Sequence, residues 1–334
     1  MVLLIRRYVG WYGFAGLVRR RSSTLCSAYF RLLLKGECNL LSPNRLSLMP
    51  YMKAAIDEAC LSHREGNHGF GAVILYDGEI VSQTHDTEET DKDPTAHAEL
   101  NAIRVASSKL GKNVSDCFLI CTHEPCPMCA TAVIWSGIAL VAYGYRISDS
   151  IRQGRGRIDI ECVEIFRRAK ADIQTIEDLM HAECAILYDH DVRAEIRKLR
   201  GASDDRLLMY DKELSEKRLR WFQEERVGAT GPGDDILMEA YQILLKKLCI
   251  QENQAPIVQR TGTEVVFRSM NFCPTLEACK ILDLDTRTVC KLCNERATDA
   301  LVKLVDPRLE FVRNYRRLRP DYEYCEEIIR YSAQ

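Results

Sequence analysis

Two short segments, Thr95-Ala-His97-Ala-Glu99 and Pro125-Cys126-Pro-Met-Cys129, decide how this 334-residue chain is interpreted. One histidine and a Cys-x-x-Cys pair supply three ligands, the set that a catalytic zinc site uses while it keeps a further position open for water. Pro125 predicts that a helix begins here, which would place both cysteines at the positive end of the helix dipole, where the pKa of a thiol is lowered. His97, Cys126 and Cys129 are therefore the predicted zinc ligands.

Glu99 follows His97 by two residues, at the start of a helix predicted from Pro94 to about Lys109. It is too close to His97 to be an obvious fourth ligand, but it can reach a water molecule on the metal, whose pKa zinc lowers towards neutrality. We expect Glu99 to be the catalytic proton shuttle, which accepts a proton from that water and returns protons to a ring nitrogen and to the departing ammonia. His-x-Glu followed by Pro-Cys-x-x-Cys is the signature of zinc deaminases.

The segments around these motifs alternate between apolar strands and amphipathic helices. Asp77-Gly78 indicates a hairpin turn, and the apolar runs on either side of the helix at Pro125 predict buried strands. This order predicts an α/β sheet covered by helices. The predicted elements are helix 51–65, strands 72–76 and 79–82, helix 94–109, strand 117–121, helix 125–137, strand 139–143, helix 160–169, strand 172–175 and helix 179–199.

Residues from about 50 to 200 resemble the cytidine deaminase-like superfamily, and within it most closely the guanine deaminases and bacterial tRNA adenosine deaminases. The resemblance rests on Asp93-Pro-Thr-Ala-His-Ala-Glu99, Glu124-Pro-Cys-Pro-Met-Cys-Ala130 and Ile134-Trp-Ser-Gly137. It implies a three-layer α/β/α fold around a five-stranded sheet, a zinc hydroxide mechanism and commonly a homodimer. It also implies ligand roles for the histidine and the two cysteines, and the shuttle role for the glutamate.

Asp86 departs from the pattern of that branch, which usually carries an asparagine about seven residues before the Asp-Pro-Thr motif. An ionised carboxylate accepts hydrogen bonds but cannot donate them. It would accept from a ring N–H and repel a ring acceptor such as the N7 of a purine. Asp86 is therefore a candidate substrate-binding residue, and the alternative is a solvated loop acid.

The net charge of −2 is unevenly distributed along the chain. Residues 49–202 contain 17 basic and 24 acidic side chains, and this acidic balance favours a small nucleobase or nucleoside over tRNA as the substrate. Arg152, Arg155 and Arg157 lie in a predicted loop, 144–159, near the expected mouth of the site. They could bind a phosphate, although a solvated loop is the favoured interpretation.

Three segments are predicted: a basic extension at 1–48, the zinc-dependent domain at 49–202, and a mainly α-helical accessory domain at 203–334. The extension has eight basic residues and one acidic residue, which is typical of an organelle transit peptide, but an overlong reading frame that starts at Met49 is favoured. Charged residues interrupt its apolar runs, which excludes a membrane span. Fifteen cysteines without a bridging pattern favour the cytoplasm, or an organelle if the transit peptide is genuine. The helices predicted in the accessory domain are 211–226, 235–250, 286–304 and 323–332.

Cys273, Cys279, Cys290 and Cys293 form a second candidate metal cluster, either structural or iron–sulfur. The alternative is favoured, because the last two continue a helical apolar stripe and buried cysteine behaves as a small hydrophobic residue. Short motifs in this region resemble the helical aminothiazoline-carboxylate hydrolase-like and vinyl-reductase-like domains. That resemblance implies ligand sensing or a second activity.

The sequence therefore predicts a zinc-dependent hydrolytic deaminase that releases ammonia from a purine nucleobase or nucleoside. Three alternatives stay open: a tRNA adenosine deaminase, a pyrimidine deaminase, and a ligand-sensing protein with a structural zinc domain. Glu99 argues against the last, because a structural site has no use for a proton shuttle.

Overall fold

The computed structural model describes residues 44–225 and 235–332. Its first sheet contains five strands: β1 (Gly71–Tyr76), β2 (Glu79–His85), β3 (Cys117–His123), β4 (Leu140–Tyr145) and β5 (Gln174–Ile176). They lie in the order β2-β1-β3-β4-β5. β1 is antiparallel to both of its neighbours, whereas β3, β4 and β5 are parallel.

Helices cover both faces of this sheet. They are α1 (Arg45–Glu65), α2 (Glu88–Asp91), α3 (Ala98–Leu110), α4 (Pro127–Ser136), α5 (Ile147–Arg152), α6 (Cys162–Ala169), α7 (His181–Tyr188) and α8 (His190–Leu199). Apolar side chains of α3, α4 and α6 form one core with the sheet, and those of α1, α7 and α8 form a second core on its other face. The predicted three-layer α/β/α arrangement is confirmed.

Two glycines have a clear steric role in this sheet. Asp77 and Gly78 both have positive φ (52° and 80°), as expected for a two-residue hairpin whose twist matches that of its strands. At Gly71, a β-carbon would lie 1.9 Å from the carbonyl oxygen of Ala55. The missing side chain therefore allows α1 to lie directly against the start of β1.

The carboxyl ends of β3 and β4 lie at the same edge of the sheet, because the two strands are parallel. β3 ends at His123, and the chain then runs through Glu124 and Pro125 into α4. Ligand sites in sheets with parallel strands lie at this edge, and the predicted zinc ligands Cys126 and Cys129 are placed there.

The C-terminal part is mainly helical, as predicted, and also contains a four-stranded sheet that the sequence analysis did not predict. Its helices are α9 (Asp204–Glu225), α10 (Ile236–Leu248), α11 (Pro274–Leu282), α12 (Thr286–Cys293) and α13 (Glu295–Val305), with a 3-10 turn at Glu252–Gln254. The strands are β6 (Ile257–Arg260), β7 (Glu264–Ser269), β8 (Leu309–Arg313) and β9 (Cys325–Tyr331), antiparallel in the order β6-β7-β9-β8.

The helix predicted over 323–332 is wrong, because these residues form β9. The alternation that marks a half-buried strand is obscured by two acids, Glu326 and Glu327, which are buried at 7% and 8% exposure. Both find cationic partners on this sheet or in the loop beside it: Arg313 Nη2 lies 2.8 Å from Glu327 Oε1, and Arg317 Nη1 lies 3.0 Å from Glu326 Oε2. These ion pairs compensate the buried charges of two glutamates that the local sequence pattern would place in solvent.

Other elements also differ from the predictions, among them a helix over Pro274–Leu282 that was not predicted and a helix that begins at Asp204 instead of residue 211. The helix predicted over 179–199 is divided into α7 and α8, where Asp189 caps the second helix by accepting from the amides of Asp191 and Val192. The helix predicted over 286–304 is divided into α12 and α13. The predicted loop 144–159 contains α5. This helix is too short and too polar to show the apolar periodicity from which helices are predicted.

The predicted boundary near residue 202 is crossed by a shared core. Apolar residues of α11 and α12 belong to the same cluster as α1 and α8. Polar contacts reinforce this packing: Thr275 donates to Glu195 at 2.9 Å, and Arg64 Nε donates to the carbonyl of Ile281 at 2.8 Å. Part of the C-terminal region therefore packs against the helices on one face of the five-stranded sheet.

Most of the predicted basic extension lies outside the described residues, which begin at position 44. Helix α1 starts at Arg45, and Leu48 is buried in the core at 2% exposure. In the described residues, no helix combines the length and the apolar character needed to cross a membrane.

Candidate active site

The three predicted zinc ligands lie together at the N-termini of two helices. His97 is the residue before α3, Cys126 is the residue before α4, and Cys129 lies in the first turn of α4. Nδ1 of His97 is 3.6 Å from Sγ of Cys126 and 3.5 Å from Sγ of Cys129. Across the part of the chain that the structure describes, this is the one set of three or more such residues whose ligand atoms lie within 4.8 Å of one another.

The donor set fits zinc. Two sulfurs and one imidazole nitrogen are ligands that zinc prefers, and three protein ligands leave a position for a reactant. Nε2 of His97 donates to Oε1 of Glu88 at 2.9 Å, which leaves the lone pair of Nδ1 directed towards the two sulfurs. A hydrogen bond from the Cys129 thiol holds the pKa of Cys126 at about 4, so a thiolate is available to a cation.

Glu88 is a candidate site residue that the sequence analysis did not select. A histidine that binds a metal usually donates its other ring N–H to a carboxylate or a carbonyl, and Glu88 occupies that position. Its second carboxylate oxygen lies 3.3 Å from Nε2 of His68. The sequence could indicate only that the histidine needs such a partner. Residues 86–99 contain six acidic side chains that fit this role equally well, so the sequence alone does not select Glu88.

Glu99 lies in the first turn of α3 with 6% of its surface exposed. Its Oε2 lies 3.6 Å from Sγ of Cys129. Burial raises the pKa of Glu99 to about 7. The structure therefore places a carboxyl group beside the ligand set and inside the cavity described next.

A cavity of about 390 Å³ opens beside this group of residues, a volume within the usual range for small-molecule sites. Phe70 stacks on Tyr188 with centroids 5.3 Å apart, and the ring of His123 meets both edge-on. The lining residues combine acidic, aromatic, aliphatic and cationic side chains: His68, Phe70, Glu88, His97, Glu99, His123, Glu124, Cys126, Ile147, Arg155, Arg157, Ile158 and Arg193.

His123 contributes to the wall as a neutral ring. Burial lowers its pKa to about 3. Its Nδ1–H donates to the carbonyl of Glu124 at 2.9 Å, and its Nε2 accepts from Oγ of Ser150 at 2.8 Å. Both ring nitrogens are therefore occupied by the protein, and the ring presents its apolar surface to the cavity.

Glu124 connects the metal-ligand segment to the chain that follows β4. Its carboxylate accepts from the amide of Cys162 at 2.8 Å and from that of Ile147 at 2.9 Å. Burial raises the pKa of Glu124. These bonds hold both ends of the 147–162 segment, and with them Arg155 and Arg157, beside the cavity.

Asp86, the predicted substrate-binding residue, does not line the cavity. It is fully buried and accepts hydrogen bonds from the hydroxyl of Ser62 and from the backbone amides of His68 and Phe70, the latter two at 2.9 Å. A carboxylate suits this position because it receives donors only. Asp86 therefore holds the 68–70 loop, whose side chains His68 and Phe70 form part of the cavity wall, and Asp86 itself is not among the residues that line the cavity.

The three predicted loop arginines separate into two groups. Arg152 lies on α5, is largely exposed and pairs with Asp149. Arg155 and Arg157 line the cavity, where they are joined by Arg193 of α8, which the sequence analysis did not select. Arg193 lies 36 residues after Arg157, and nothing in the local sequence links the two.

The second predicted cysteine cluster is not assembled. Cys279 and Cys293 are buried in the core between α1, α8, α11 and α12, at 0% and 2% exposure. Cys273 precedes α11, and Cys290 lies one turn before the end of α12. No three of these four sulfurs form a metal-binding group in the described residues. The apolar helical pattern that contains Cys290 and Cys293 is therefore explained by packing in the core.

Comparison with known proteins places these residues in a family. The sequence model of the cytidine and deoxycytidylate deaminase zinc-binding region matches residues 47–145. The chain is 41% identical over 106 residues to a guanine deaminase of Bacillus subtilis, an alignment that covers 31% of this chain and 68% of that protein. It is 42% identical over 94 residues to a tRNA-specific adenosine deaminase of Aquifex aeolicus, covering 28% of this chain and 62% of that protein.

A solved structure shows a similar segment. The X-ray structure of guanine deaminase from Bacillus subtilis aligns with a TM-score of 0.31 and 38% identity, covering 32% of this chain and 70% of that one. The chain thus spans roughly two thirds of the length of these relatives, and they span about a third of it.

Proposed function

Because this chain belongs to the cytidine and deoxycytidylate deaminase family through its zinc-binding region, we propose that it hydrolyses the amino group of a purine nucleobase or nucleoside. The reaction consumes water, replaces the exocyclic C–NH₂ by C=O with a proton on the ring nitrogen, and releases ammonia. The observation that carries this proposal is the convergence of His97, Cys126, Cys129 and Glu99 at one end of a single cavity.

His97, Cys126 and Cys129 would hold the zinc, with Glu88 fixing the imidazole through its Nε2–H. When bound, zinc would lower the pKa of a water molecule towards neutrality, so that it becomes a nucleophile at physiological pH. The helix N-termini at α3 and α4 favour the thiolate forms of the ligands.

The carboxyl group of Glu99 would move the protons. It accepts one from the attacking water, delivers one to the ring nitrogen, and then helps to protonate the departing amine. Its location in the first turn of α3 supports this role, because the same turn holds His97 and so keeps the carboxyl group near the metal ligands. A structural zinc site would have no use for this group.

A purine is favoured by the comparisons, because the guanine deaminase and the tRNA-specific adenosine deaminase are both named for purine substrates. The aromatic side of the cavity, formed by Phe70 and His123, offers a surface against which a planar base can pack. The alternative of a pyrimidine is retained as an outcome of the experiment below, since a yeast relative at 32% identity is a probable cytosine deaminase.

A homodimer is the proposed assembly. Trp135 is 80% exposed and Ile158 is 63% exposed, which is unusual for large apolar side chains. Trp135 lines a groove of about 880 Å³ between α4 and α6 together with Ile160. Ile158, two residues away from Ile160, also lines the catalytic cavity, so a second copy seated on this face would cover both surfaces. Sedimentation velocity should give a dimer for the protein and a monomer for Trp135→Glu.

A reducing compartment such as the cytoplasm is the proposed location. None of the thirteen cysteines of the described residues forms a disulfide bond, and proteins of oxidising compartments use cysteine mainly in disulfides.

The direct test is ammonia release by the zinc-loaded full chain from a panel of purine and pyrimidine bases, nucleosides and nucleotides, and from bulk tRNA. We expect Glu99→Gln to keep its zinc and to lose activity by at least about 100-fold, the usual contribution of a general acid–base group. Glu213→Gln, which changes an exposed glutamate of α9, is the matched control and should behave as the unmodified protein. Full zinc occupancy with no ammonia from any member of the panel would refute the proposal.

A further inference from the structure

Four arginines from two distant segments converge at the cavity that contains His97 and Glu99 and at a cleft that shares two of them. Arg155 and Arg157 lie on the chain between α5 and α6, and Arg193 and Arg197 lie one turn apart on α8. Arg155, Arg157 and Arg193 line the cavity that also contains His97 and Glu99. Arg155, Arg193 and Arg197 line an adjoining cleft of about 220 Å³. We call these four residues the arginine cluster.

Among the residues that the structure describes, the arginine cluster has no anionic partner. Within residues 44–225 and 235–332, none of the four side chains forms an ion pair, in contrast to Arg152, which pairs with Asp149. Nη1 of Arg155 and Nε of Arg157 are buried without any hydrogen-bond acceptor. Buried N–H groups of this kind are costly unless an acceptor arrives from outside the chain.

Burial and the repulsion between neighbouring arginines also lower the pKa of two members of the cluster. Burial, together with the charges of Arg193 and Arg157, lowers the pKa of Arg155 to about 10. Burial and the charges of Arg197 and Arg157 also lower the pKa of Arg193. Positive charges that are mutually repulsive and partly removed from water create a local field that attracts an anion.

Two of the guanidinium groups are held in place by aromatic rings. Arg157 lies 5.2 Å from the centroid of Phe70, and Arg155 lies 5.5 Å from that of Tyr188. Cation–π contact restrains the planar groups without using their N–H donors. The guanidinium N–H donors therefore stay available for a ligand, and the side chains lose less conformational entropy when the ligand binds.

We propose that the arginine cluster binds the phosphate of a nucleoside monophosphate whose base is deaminated beside Glu99. This inference rests on the proposed function and specifies its substrate class. Guanidinium groups form paired hydrogen bonds with phosphate oxygens, and the cavity joins the cluster to the metal ligands without interruption. One ligand in this cavity can therefore present its base to Glu99 and its phosphate to the arginines.

A single phosphate suits the charge distribution better than a nucleic acid. Residues 49–202 contain seven more acidic than basic side chains, so the cluster is a local positive site on an acidic region. A polynucleotide contacts several phosphates along an extended basic surface. The cluster is instead confined to one cavity and the cleft that adjoins it.

The first test compares kcat/KM for ammonia release from adenosine and guanosine 5′-monophosphates, their deoxy forms, and the matching nucleosides and bases. We expect each preferred nucleotide to exceed its nucleoside by tenfold or more. Arg193→Gln and Arg155→Gln should each lower that ratio by about tenfold, the effect of losing a hydrogen bond to a charged group. Arg152→Gln is the matched control from the same segment and should leave the ratio unchanged. Equal kcat/KM values for nucleotide and nucleoside would overturn the inference.

A binding measurement separates this inference from the proposed function. Zinc-loaded Glu99→Gln protein is titrated with the same nucleotides and nucleosides in a calorimeter, with and without inorganic phosphate as a competitor. Tighter binding of the nucleotide, weakened by Arg193→Gln and by phosphate, supports the arginine cluster as a phosphate site even if no ammonia is released in any assay. Equal affinity for nucleotide and nucleoside, or turnover of tRNA alone, would refute it.

Discussion

The chain contains two Cys-x-x-Cys segments, Cys126-Pro-Met-Cys129 and Cys290-Lys-Leu-Cys293, and the fold treats them in opposite ways. The first begins α4: Cys126 precedes the helix and Cys129 lies in its first turn. The second ends α12, whose last residue is Cys293. Only the first pair lies beside a histidine, at 3.5–3.6 Å from Nδ1 of His97.

The difference shows that the surroundings of the sulfurs, rather than their spacing, determine what such a pair can do. At a helix N-terminus, free amides and the dipole stabilise a thiolate, whereas at a C-terminus the dipole opposes it. A hydrogen bond from Cys129 lowers the pKa of Cys126 to about 4. Burial raises the pKa of Cys290, and it raises that of Cys293 to about 11. The second pair is therefore held as neutral thiols among apolar side chains.

The largest expected effect separates the two pairs by metal content. We predict that Cys126→Ser abolishes ammonia release and lowers bound zinc from about one ion per chain to near zero, because two protein ligands hold zinc weakly. Cys290→Ser, the matched change in the other pair, should keep both zinc and activity. Elemental analysis of the purified variants measures this, and equal losses of zinc in both variants would abolish the distinction.

Removal of zinc by a chelator should destabilise the protein around the first pair and not the second. A ligand present at one hundred times its dissociation constant stabilises the folded state by about 2.7 kcal/mol. Hydrogen exchange followed by mass spectrometry should therefore show faster exchange in residues 127–136 after chelation, with residues 286–293 unchanged. Faster exchange of the second segment to the same extent would mean that both pairs depend on the metal.

Glu88→Gln should weaken zinc binding by about tenfold, at the low end of the 10–100-fold effect typical for such partners, because glutamine still accepts from Nε2 of His97 but lacks the charge. The matched control is Glu89→Gln, since Glu89 is 65% exposed and does not contact His97. Competition with a zinc-binding dye measures both affinities. Identical affinities for the two variants would remove Glu88 from the metal site.

The smallest expected effect concerns stability at the second pair. Cys293→Ala should lower the free energy of unfolding by about 1–2 kcal/mol, since it leaves a small cavity in the shared core. Cys290→Ala should cost less because Cys290 is only partly buried. Urea denaturation measures both, with zinc content as the accompanying control. A loss of zinc in Cys293→Ala would contradict the core interpretation.

Much of the α/β/α fold around the five-stranded sheet could be predicted from the sequence. The apolar runs of β1, β3 and β4, the turn at Asp77-Gly78 and the helix starts near Pro94 and Pro125 are local signals, and the structure follows them within a few residues. The four-stranded sheet was missed because β9 carries Glu326 and Glu327, whose charges are compensated only by arginines from other parts of the chain.

Asp86 and Glu88 show most clearly why sequence reasoning failed within the site. They are acids two residues apart, Asp86 just before α2 and Glu88 at its first position, and no local feature of the sequence distinguishes them. The fold directs Asp86 inwards to the amides of His68 and Phe70, and Glu88 towards His97. The predicted substrate contact was assigned to the first of these acids, whereas the second contacts the ligand set.

The sequence by itself determined the chemistry that fits within a few consecutive residues: the identities of His97, Glu99, Cys126 and Cys129, and the helices that begin beside them. The tertiary structure decided which acid contacts the imidazole, which cysteine pair remains in the core, and which arginines meet at the cavity. The physical reason is that hydrogen bonds, burial and fields depend on distances between atoms. The sequence states such distances only for neighbours, and Arg157 and Arg193 become neighbours only when α8 packs beside the sheet.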